Sequence, residues 1–326
     1  MTMLPSDLTS HVGQDASLGD IFGAAWRGLR AHFWPALGYG LLAVVIVIGI
    51  LLVTCCTGGI VAMPIALIGV ASGTTAGAFA GHMVSKTFSY LIGATIGGFI
   101  IFPLLAGYLW SLVCTFDARP MEAGDLFAGF RYRYRPLWRL GISKGLIETI
   151  IYIAYLAASF STSFTVARGG GLPFTSIRDA TAALGIFGVW ILALWIVNLF
   201  FMLTPYFAFA HQSPTWTLCL ADNWRVLKSR PREFLLVFFF PLLAMLAVAI
   251  AATLLIAPTA ALFFVPGTAV KVLAVLLLIA EGLAGFAASV CLYLYACFLY
   301  AAFFRASYGY TLELPHPAAT AGSDAP

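Results

Sequence analysis

The chain has 326 residues, of which 62% are hydrophobic and only 9% are charged, and its formal net charge at pH 7 is +4. A soluble domain carries about a quarter charged residues, so this chain lacks the charged side chains that would cover a water-facing surface. The composition excludes an ordinary soluble globular protein and predicts an integral membrane protein.

Residues 1–18 are polar and contain acidic side chains. They lack the basic start and apolar core of a secretory signal, so we expect no cleavable signal peptide. One transmembrane domain is predicted over residues 19–306. A polar tail rich in Pro and Ala follows over residues 307–326.

Six apolar stretches are long enough to cross a bilayer as helices, which takes about 20 residues. They predict spans at 36–56, 87–115, 144–166, 182–211, 233–256 and 270–304. The expected fold is an all-α bundle of six transmembrane helices. Because the last stretch exceeds a hydrocarbon core of about 30 Å as one helix, it must tilt or project from the membrane.

The chain repeats itself three times. Gly19-Asp20-Ile21-Phe22 is echoed by Gly124-Asp125-Leu126-Phe127, and Trp26-Arg27-Gly28-Leu29-Arg30 by Trp224-Arg225-Val226-Leu227-Lys228. Each copy consists of a basic amphipathic connector, a span, an outer loop and a second span. The repeats predict units over about 19–115, 121–211 and 214–304.

Residues 58–83 are apolar enough to suggest a seventh span, which would break the repeat. We expect instead a re-entrant or outer-leaflet segment packed against the second span. From here small residues recur at every fourth position, a spacing that lets helices approach closely. The series is Gly69, Gly73, Gly77, Gly81, Ser85, Ser89, Gly93 and Gly97. The same face offers a surface for homo- or hetero-oligomerisation, through Gly69, Gly73, Gly77 and Gly81.

Two crossings per unit place all three connectors on one side of the membrane. Of the 17 Lys and Arg residues, all but Lys86, Arg168, Arg178 and Lys271 fall on that side. The positive-inside rule identifies it as the cytoplasm. We therefore expect a multi-pass protein of the bacterial inner membrane with both termini cytoplasmic.

The connectors combine aromatic and basic side chains, as helices in the lipid headgroup layer do. In the second connector, Phe127, Phe130, Tyr134 and Leu137 share one face of an assumed helix. The connectors either anchor the topology or recognise anionic lipid headgroups. The candidate headgroup contacts are Trp26, Arg27, Arg30, Arg131, Arg133, Arg135, Trp138, Trp224, Arg225 and Lys228.

Glu281 is the outstanding ionisable residue predicted at membrane depth, where a charge is costly. It is either a relay or substrate contact, or a neutral acid hydrogen-bonded between helices. Lys144 and Glu148, one helical turn apart, predict an ion pair. Pro103 and Pro205 each lie in the second helix of a pair, where kinks either open a cavity or carry no such role.

No motif for a nucleophile, a metal or a nucleotide is present, and the six cysteines form no CxxC pair. We therefore predict neither catalytic nor metal-binding residues and no cofactor. The basic residues are spread along a membrane face, which does not favour nucleic-acid binding.

Leu218-Cys219-Leu220-Ala221-Asp222-Asn223-Trp224-Arg225-Val226-Leu227-Lys228 resembles the connector of certain bacterial membrane proteins. Asp20-Ile21-Phe22 through Leu37-Gly38 resembles their amino-terminal entry. That group includes the membrane domain of some glycerophosphoryl diester phosphodiesterases and related six-helix families. The resemblance implies a membrane domain without the hydrolase, and Asn223 stands where the pattern has Ser.

Two functions are compatible with these features. The first is a non-enzymatic scaffold or accessory factor in envelope or lipid metabolism. The second is a small transporter or lipid-handling protein that uses Glu281. The surroundings of Glu281 discriminate between them, because a polar cavity favours transport and a packed helix with a matching donor favours a scaffold.

Overall fold

The computed structural model describes residues 16–71, 75–117, 119–168, 177–211, 213–262, 265 and 267–308, and these contain no β-strand. The helices are α1 (Leu18–Ala71), α2 (Thr75–Ile96), α3 (Phe102–Thr115), α4 (Ala128–Tyr132), α5 (Tyr134–Arg168), α6 (Ile177–Phe201), α7 (Thr204–Ala210), α8 (Trp216–Ser229), α9 (Pro231–Ala261) and α10 (Thr268–Tyr308). A π-helical turn (Gly97–Ile101) joins α2 to α3, and a 3₁₀ helix (Ala123–Phe127) precedes α4.

Six helical stretches are long and apolar enough to cross a membrane: Leu18–Ile50, Met83–Thr115, Tyr134–Ser159, Leu184–Ala210, Pro231–Ala260 and Thr268–Ser307. The predicted all-α, six-span bundle is therefore confirmed. α10 has 41 residues, which corresponds to about 61 Å. This length exceeds the hydrocarbon thickness of a bilayer, so the helix must tilt or project from it, as the sequence predicts.

The three connectors begin with the same local chemistry at equivalent repeat positions. Ser17 and Asp20 exchange side-chain to backbone hydrogen bonds, and Glu122 and Asp125 form the same reciprocal cap. At the third position, Thr215 Oγ1 accepts from the Leu218 amide at 3.2 Å. Each cap satisfies amides that a helix start leaves without partners.

Each connector also ends on one non-helical residue, and a proline follows it within three residues. The hinge residues are His32 (φ −121°, ψ 21°), Arg133 (φ −136°, ψ 25°) and Arg230 (φ −133°, ψ 58°), with Pro35, Pro136 and Pro231 after them. Proline lacks an amide hydrogen and its ring excludes the preceding turn from helical geometry. The chain therefore turns at these points from connector into span.

The core lies where the connectors meet the ends of α3, α7 and α10, and we call this the connector end of the bundle. Trp110 stacks on Phe209 at 4.9 Å, and Tyr206 stacks on Phe304 at 5.1 Å, so all three repeats meet there. The equivalent connector residues Ile21, Leu126 and Cys219 are fully buried in the same core. The apolar connector faces thus pack against protein.

Residues 58–71 and 75–83 are helical parts of α1 and α2, and their assignment as a re-entrant or outer-leaflet segment stays a prediction. Beyond the hinge at His32, α1 continues to Ala71, and α2 begins at Thr75 and packs against it. The described residues of this segment thus extend the first helix pair and contribute no seventh candidate span. Pro64 does not end α1, because proline is tolerated where neighbouring helices accommodate the freed backbone groups.

The second connector is not the single helix that its aromatic spacing suggested. It comprises the 3₁₀ helix, the short α4 and the break at Arg133. The rings still line up, since Phe127 contacts Phe130 and Phe130 stacks on Tyr134. Leu137 alone of that set is fully buried, whereas Phe127 is half exposed.

Candidate functional site

A cavity of about 510 Å³ lies between the second span and α5. We call the end of the bundle opposite the connectors the far end. The polar side chains that line the cavity lie toward this far end. These are Lys86, Ser89, Tyr90, Lys144, Glu148 and Tyr152, and the other lining residues are Gly93, Ala94, Gly97, Gly98, Ile101, Phe102, Leu105, Gly141 and Gly145. We refer to this cavity as the groove.

Glycine contacts bring the two walls of the groove together at one level. A Cβ on Gly98 would lie 2.6 Å from the Ile142 nitrogen, and one on Gly141 would lie 2.7 Å from the Gly98 Cα. These distances are too short for any side chain, so the backbones touch here. By contrast, a Cβ on Gly93 or Gly97 would meet nothing within 4 Å, and these two glycines therefore leave the groove open.

The open positions belong to the small-residue series seen in the sequence. Its Ser89, Gly93 and Gly97 members line the groove, and Gly81 is buried. Gly73 lies outside the described residues, and for Gly69 and Gly77 only the helical backbone is described. The oligomerisation face of Gly69, Gly73, Gly77 and Gly81 stays a prediction.

Two lysines and one glutamate supply the charge of the groove. Lys144 Nζ lies 2.5 Å from Glu148 Oε1, and each of these side chains is 22% exposed. This confirms the predicted ion pair and adds that it faces the second span. Lys86 also lines the groove and has no ion-pair partner among the residues that the structure describes. The three groups carry a net charge of +1.

The sequence placed Lys86 at the outer end of the second span. The structure shows α2 continuing beyond it to Thr75, so Lys86 lies inside the stretch Met83–Thr115. Lys86 is exposed and lies three residues from the start of that stretch. An ammonium near the end of a span can extend toward the headgroup layer, where an anionic group is its natural partner.

An aromatic ladder closes one side of the groove. Tyr90 on α2 stacks on Tyr152 of α5 with ring centroids 4.2 Å apart. Tyr155, one turn further along α5, stacks on Trp190 of α6 at 4.8 Å. The ladder links three spans and adds phenolic hydroxyls next to the ion pair.

Glu281 does not line the groove. Its Oε1 accepts a hydrogen bond of 2.7 Å from Thr259 Oγ1 on the adjacent α9. Its Oε2 is buried without a hydrogen-bond partner among the described residues. This is the packed helix with a matching donor that favours a structural role for Glu281.

Of the two prolines considered as cavity-opening kinks, Pro103 adjoins the groove and Pro205 does not. Pro103 follows the π-helical turn, and Ile101 and Phe102 beside it line the groove. Pro205 follows the break between α6 and α7 and is buried in the core.

The candidate headgroup contacts form an exposed belt around the connectors. Trp26, Arg27, Arg30, Arg131, Arg135, Trp224, Arg225 and Lys228 are exposed, whereas Arg133 and Trp138 are half-buried. Lys228 Nζ lies 5.1 Å from the Trp224 ring centroid, and the Arg131 guanidinium 5.5 Å from that of Tyr132. These cation–π pairs hold charge and ring at one level of the surface.

Arg225 differs from the rest of the belt because it forms an ion pair. Its guanidinium donates to Asp222 Oδ1 at 2.6 Å, and His211 Nε2 lies 2.6 Å from Asp222 Oδ2. Asp222 is fully buried, so this cluster fixes α8 against the end of α7. The described residues contain no group of three or more His, Cys, Asp or Glu that could hold a metal ion.

Sequence reasoning missed the groove because no motif marks it. Its walls come from two repeat units, and the Gly98–Gly141 contact that joins them becomes visible only in three dimensions. The signals present in the sequence were the ion-pair spacing of Lys144 and Glu148 and the small-residue series ending at Gly97.

The chain matches no protein-family model, no curated protein and no solved structure. The resemblance of its connectors to the membrane domain of glycerophosphoryl diester phosphodiesterases therefore stays a prediction.

Proposed function

We propose that this chain is a lipid-handling protein of the bacterial inner membrane, and that the groove holds one membrane lipid. The observation that carries this proposal is a cavity between two spans whose lining is charged at one side and apolar at the other. Such a lining matches an amphiphile better than it matches a soluble solute or a bare ion.

The proposal includes an orientation of the protein in the membrane, with the connectors on the cytoplasmic side. The excess of Lys and Arg at the connector end supports a cytoplasmic location for the connectors and both termini. The exposed Trp and Arg side chains of the connectors then lie at the inner leaflet, where anionic headgroups attract basic residues.

The proposal can be tested with a variant in which larger side chains fill the groove. In the double variant Gly93→Leu/Gly97→Leu, the new side chains enter open space, and leucine favours a helix more than glycine does. The matched control is Gly185→Leu/Gly188→Leu on α6, where added side chains also meet nothing within 4 Å and the positions do not line the groove.

The measurement is crosslinking of a phospholipid that carries a photoreactive diazirine, followed by mass-spectrometric mapping of the labelled peptides. We expect label on α2 and α5 in the native protein and in the control, and loss of most of it in the filled variant. Equal labelling in all three proteins, or no label on α2 and α5 in the native protein, would refute the proposal.

A scaffold or accessory role in envelope or lipid metabolism is the second candidate. The hydrogen bond between Thr259 and Glu281 favours it, because that carboxyl joins α9 to α10. Growth or envelope integrity that depends on the chain, but is indifferent to filling of the groove, would support this role.

A further inference from the structure

The distribution of charge and polarity inside the groove specifies its occupant further. We propose that the groove binds an anionic lipid from the leaflet opposite the connectors, with its headgroup at Lys86 and Lys144 and an acyl chain along Ile101 to Leu105. This inference rests on the proposed lipid-handling function and adds the charge, the leaflet and the direction of the lipid.

The charge follows from the count of ionisable groups. Glu148 is already matched by Lys144 at 2.5 Å, so Lys86 is left in excess. Among the described residues no carboxylate lies within ion-pair distance of Lys86. A negatively charged phosphate or carboxylate in the groove would supply that counter-charge. A zwitterionic headgroup brings its own cation close to the same lysines and is disfavoured.

The direction follows from the order of the lining residues along two antiparallel walls. On the second span, the polar Lys86 and Tyr90 come before the apolar Ile101 and Leu105, and this span runs from the far end to the connector end. On α5, which runs the opposite way, Gly141 precedes the polar Lys144, Glu148 and Tyr152. Both walls are therefore polar toward the far end and apolar toward the connectors.

A lipid that lies along this gradient has its headgroup toward the far end and its acyl chain toward the connectors. Lipids of the leaflet at the far end have that direction in the bilayer, whereas lipids of the connector leaflet have the reverse. With the connectors in the cytoplasm, the occupant comes from the outer leaflet of the inner membrane.

Two probes test the charge in the purified full-length protein: diazirine-bearing phosphatidylglycerol, which is anionic, and diazirine-bearing phosphatidylcholine, which is zwitterionic. We expect the native groove to be labelled preferentially by the anionic probe. Loss of one lysine contact should lower the ratio of anionic to zwitterionic labelling about fivefold, which is the effect of a single charge at a membrane surface. In Lys86→Gln the two probes should therefore label the groove more nearly equally.

The matched control is Lys271→Gln. Lys271 is exposed near the start of α10 at the far end and does not line the groove, so its loss should leave the preference unchanged. An equal effect of both substitutions would show that far-end lysines attract anionic lipids in general, and it would refute specific recognition in the groove.

Two positions of the diazirine test the direction. A headgroup diazirine should label the segment around Lys86 and Tyr90, and a diazirine at the acyl end should label the segment around Ile101 and Leu105. The reverse pattern would overturn the direction and the leaflet. Equal labelling of the native groove by both lipids would refute the anionic headgroup and leave the proposed function standing, whereas no labelling by either would refute both.

Discussion

The amide of Asn223 replaces backbone hydrogen bonds that the fourth span loses between α6 and α7. Its Oδ1 accepts from the Leu203 amide at 3.0 Å, and its Nδ2 donates to the Phe200 carbonyl at 2.8 Å. The residue is fully buried, so water cannot take over these bonds. An asparagine serves this break because one side chain supplies both a donor and an acceptor.

Substitution of Asn223 by Ala should lower the free energy of unfolding by about 1–3 kcal/mol, since buried backbone groups are left without partners. The control is Asn198→Ala. Asn198 is exposed and donates only to the Leu194 carbonyl of its own helix, so its loss should cost about 0.5 kcal/mol or less. Thermal unfolding of both variants in detergent compares them, and equal losses would contradict the role of Asn223.

At the scale of elements, close backbone contacts hold the second connector against α3. A Cβ on Gly107 would overlap the Leu126 carbonyl oxygen, and one on Gly129 would overlap the Pro103 carbonyl oxygen. These contacts are backbone to backbone, so no side chain can move away to make room. The connector thus depends on two glycines that no local helix or turn signal singles out.

Gly129→Ala and Gly107→Ala should each destabilise the protein by about 1–3 kcal/mol, the usual cost of overpacking. Gly124→Ala in the same connector is the matched control, because a Cβ there meets nothing within 4 Å. The unfolding temperatures in detergent and the yield of folded protein measure the difference. If the control loses as much as the other two, the close contacts do not determine the stability of this connector.

The elements show which features the sequence could predict. Apolar length and the repeat predict six spans, and the prolines predict where connectors become spans, because hydrocarbon thickness and proline geometry act locally. The second connector was assumed to be one helix, but its break at Arg133 serves packing against α3. Likewise the extension of α1 to Ala71 depends on α2 beside it, and only tertiary structure supplies that neighbour.

For the whole molecule, packing density divides the bundle into two parts. The connector end contains nearly all fully buried large side chains, from Tyr108 and Tyr206 to Phe298 and Phe304. Toward the far end, the described side chains of α9 and α10 are mostly exposed, as suits lipid contact. The groove, where we propose that a lipid binds, lies at the boundary between the tightly packed connector end and the more open far end.

This two-part arrangement makes the orientation in the membrane testable with two cysteines. Ser213→Cys places a thiol at an exposed position between α7 and α8 at the connector end. Val265→Cys places one at an exposed position between α9 and α10 at the far end. A membrane-impermeant maleimide added to spheroplasts of expressing cells should label Val265→Cys and spare Ser213→Cys. In inverted membrane vesicles the pattern should reverse.

The unsubstituted protein supplies the background: of its described cysteines, Cys114, Cys219 and Cys297 are buried, and the exposed Cys291 lies inside the apolar stretch Thr268–Ser307, out of reach of a membrane-impermeant reagent. Cys219 is the one nearest to the connector surface, and burial raises the pKa of its thiol to about 12. It therefore stays protonated and unreactive at the pH of labelling. Labelling of Ser213→Cys in spheroplasts would reverse the orientation, and the groove occupant would then come from the inner leaflet. The groove and its charge would be unaffected, since they follow from the fold alone, and the proposed direction of the lipid relative to the connectors would be unchanged.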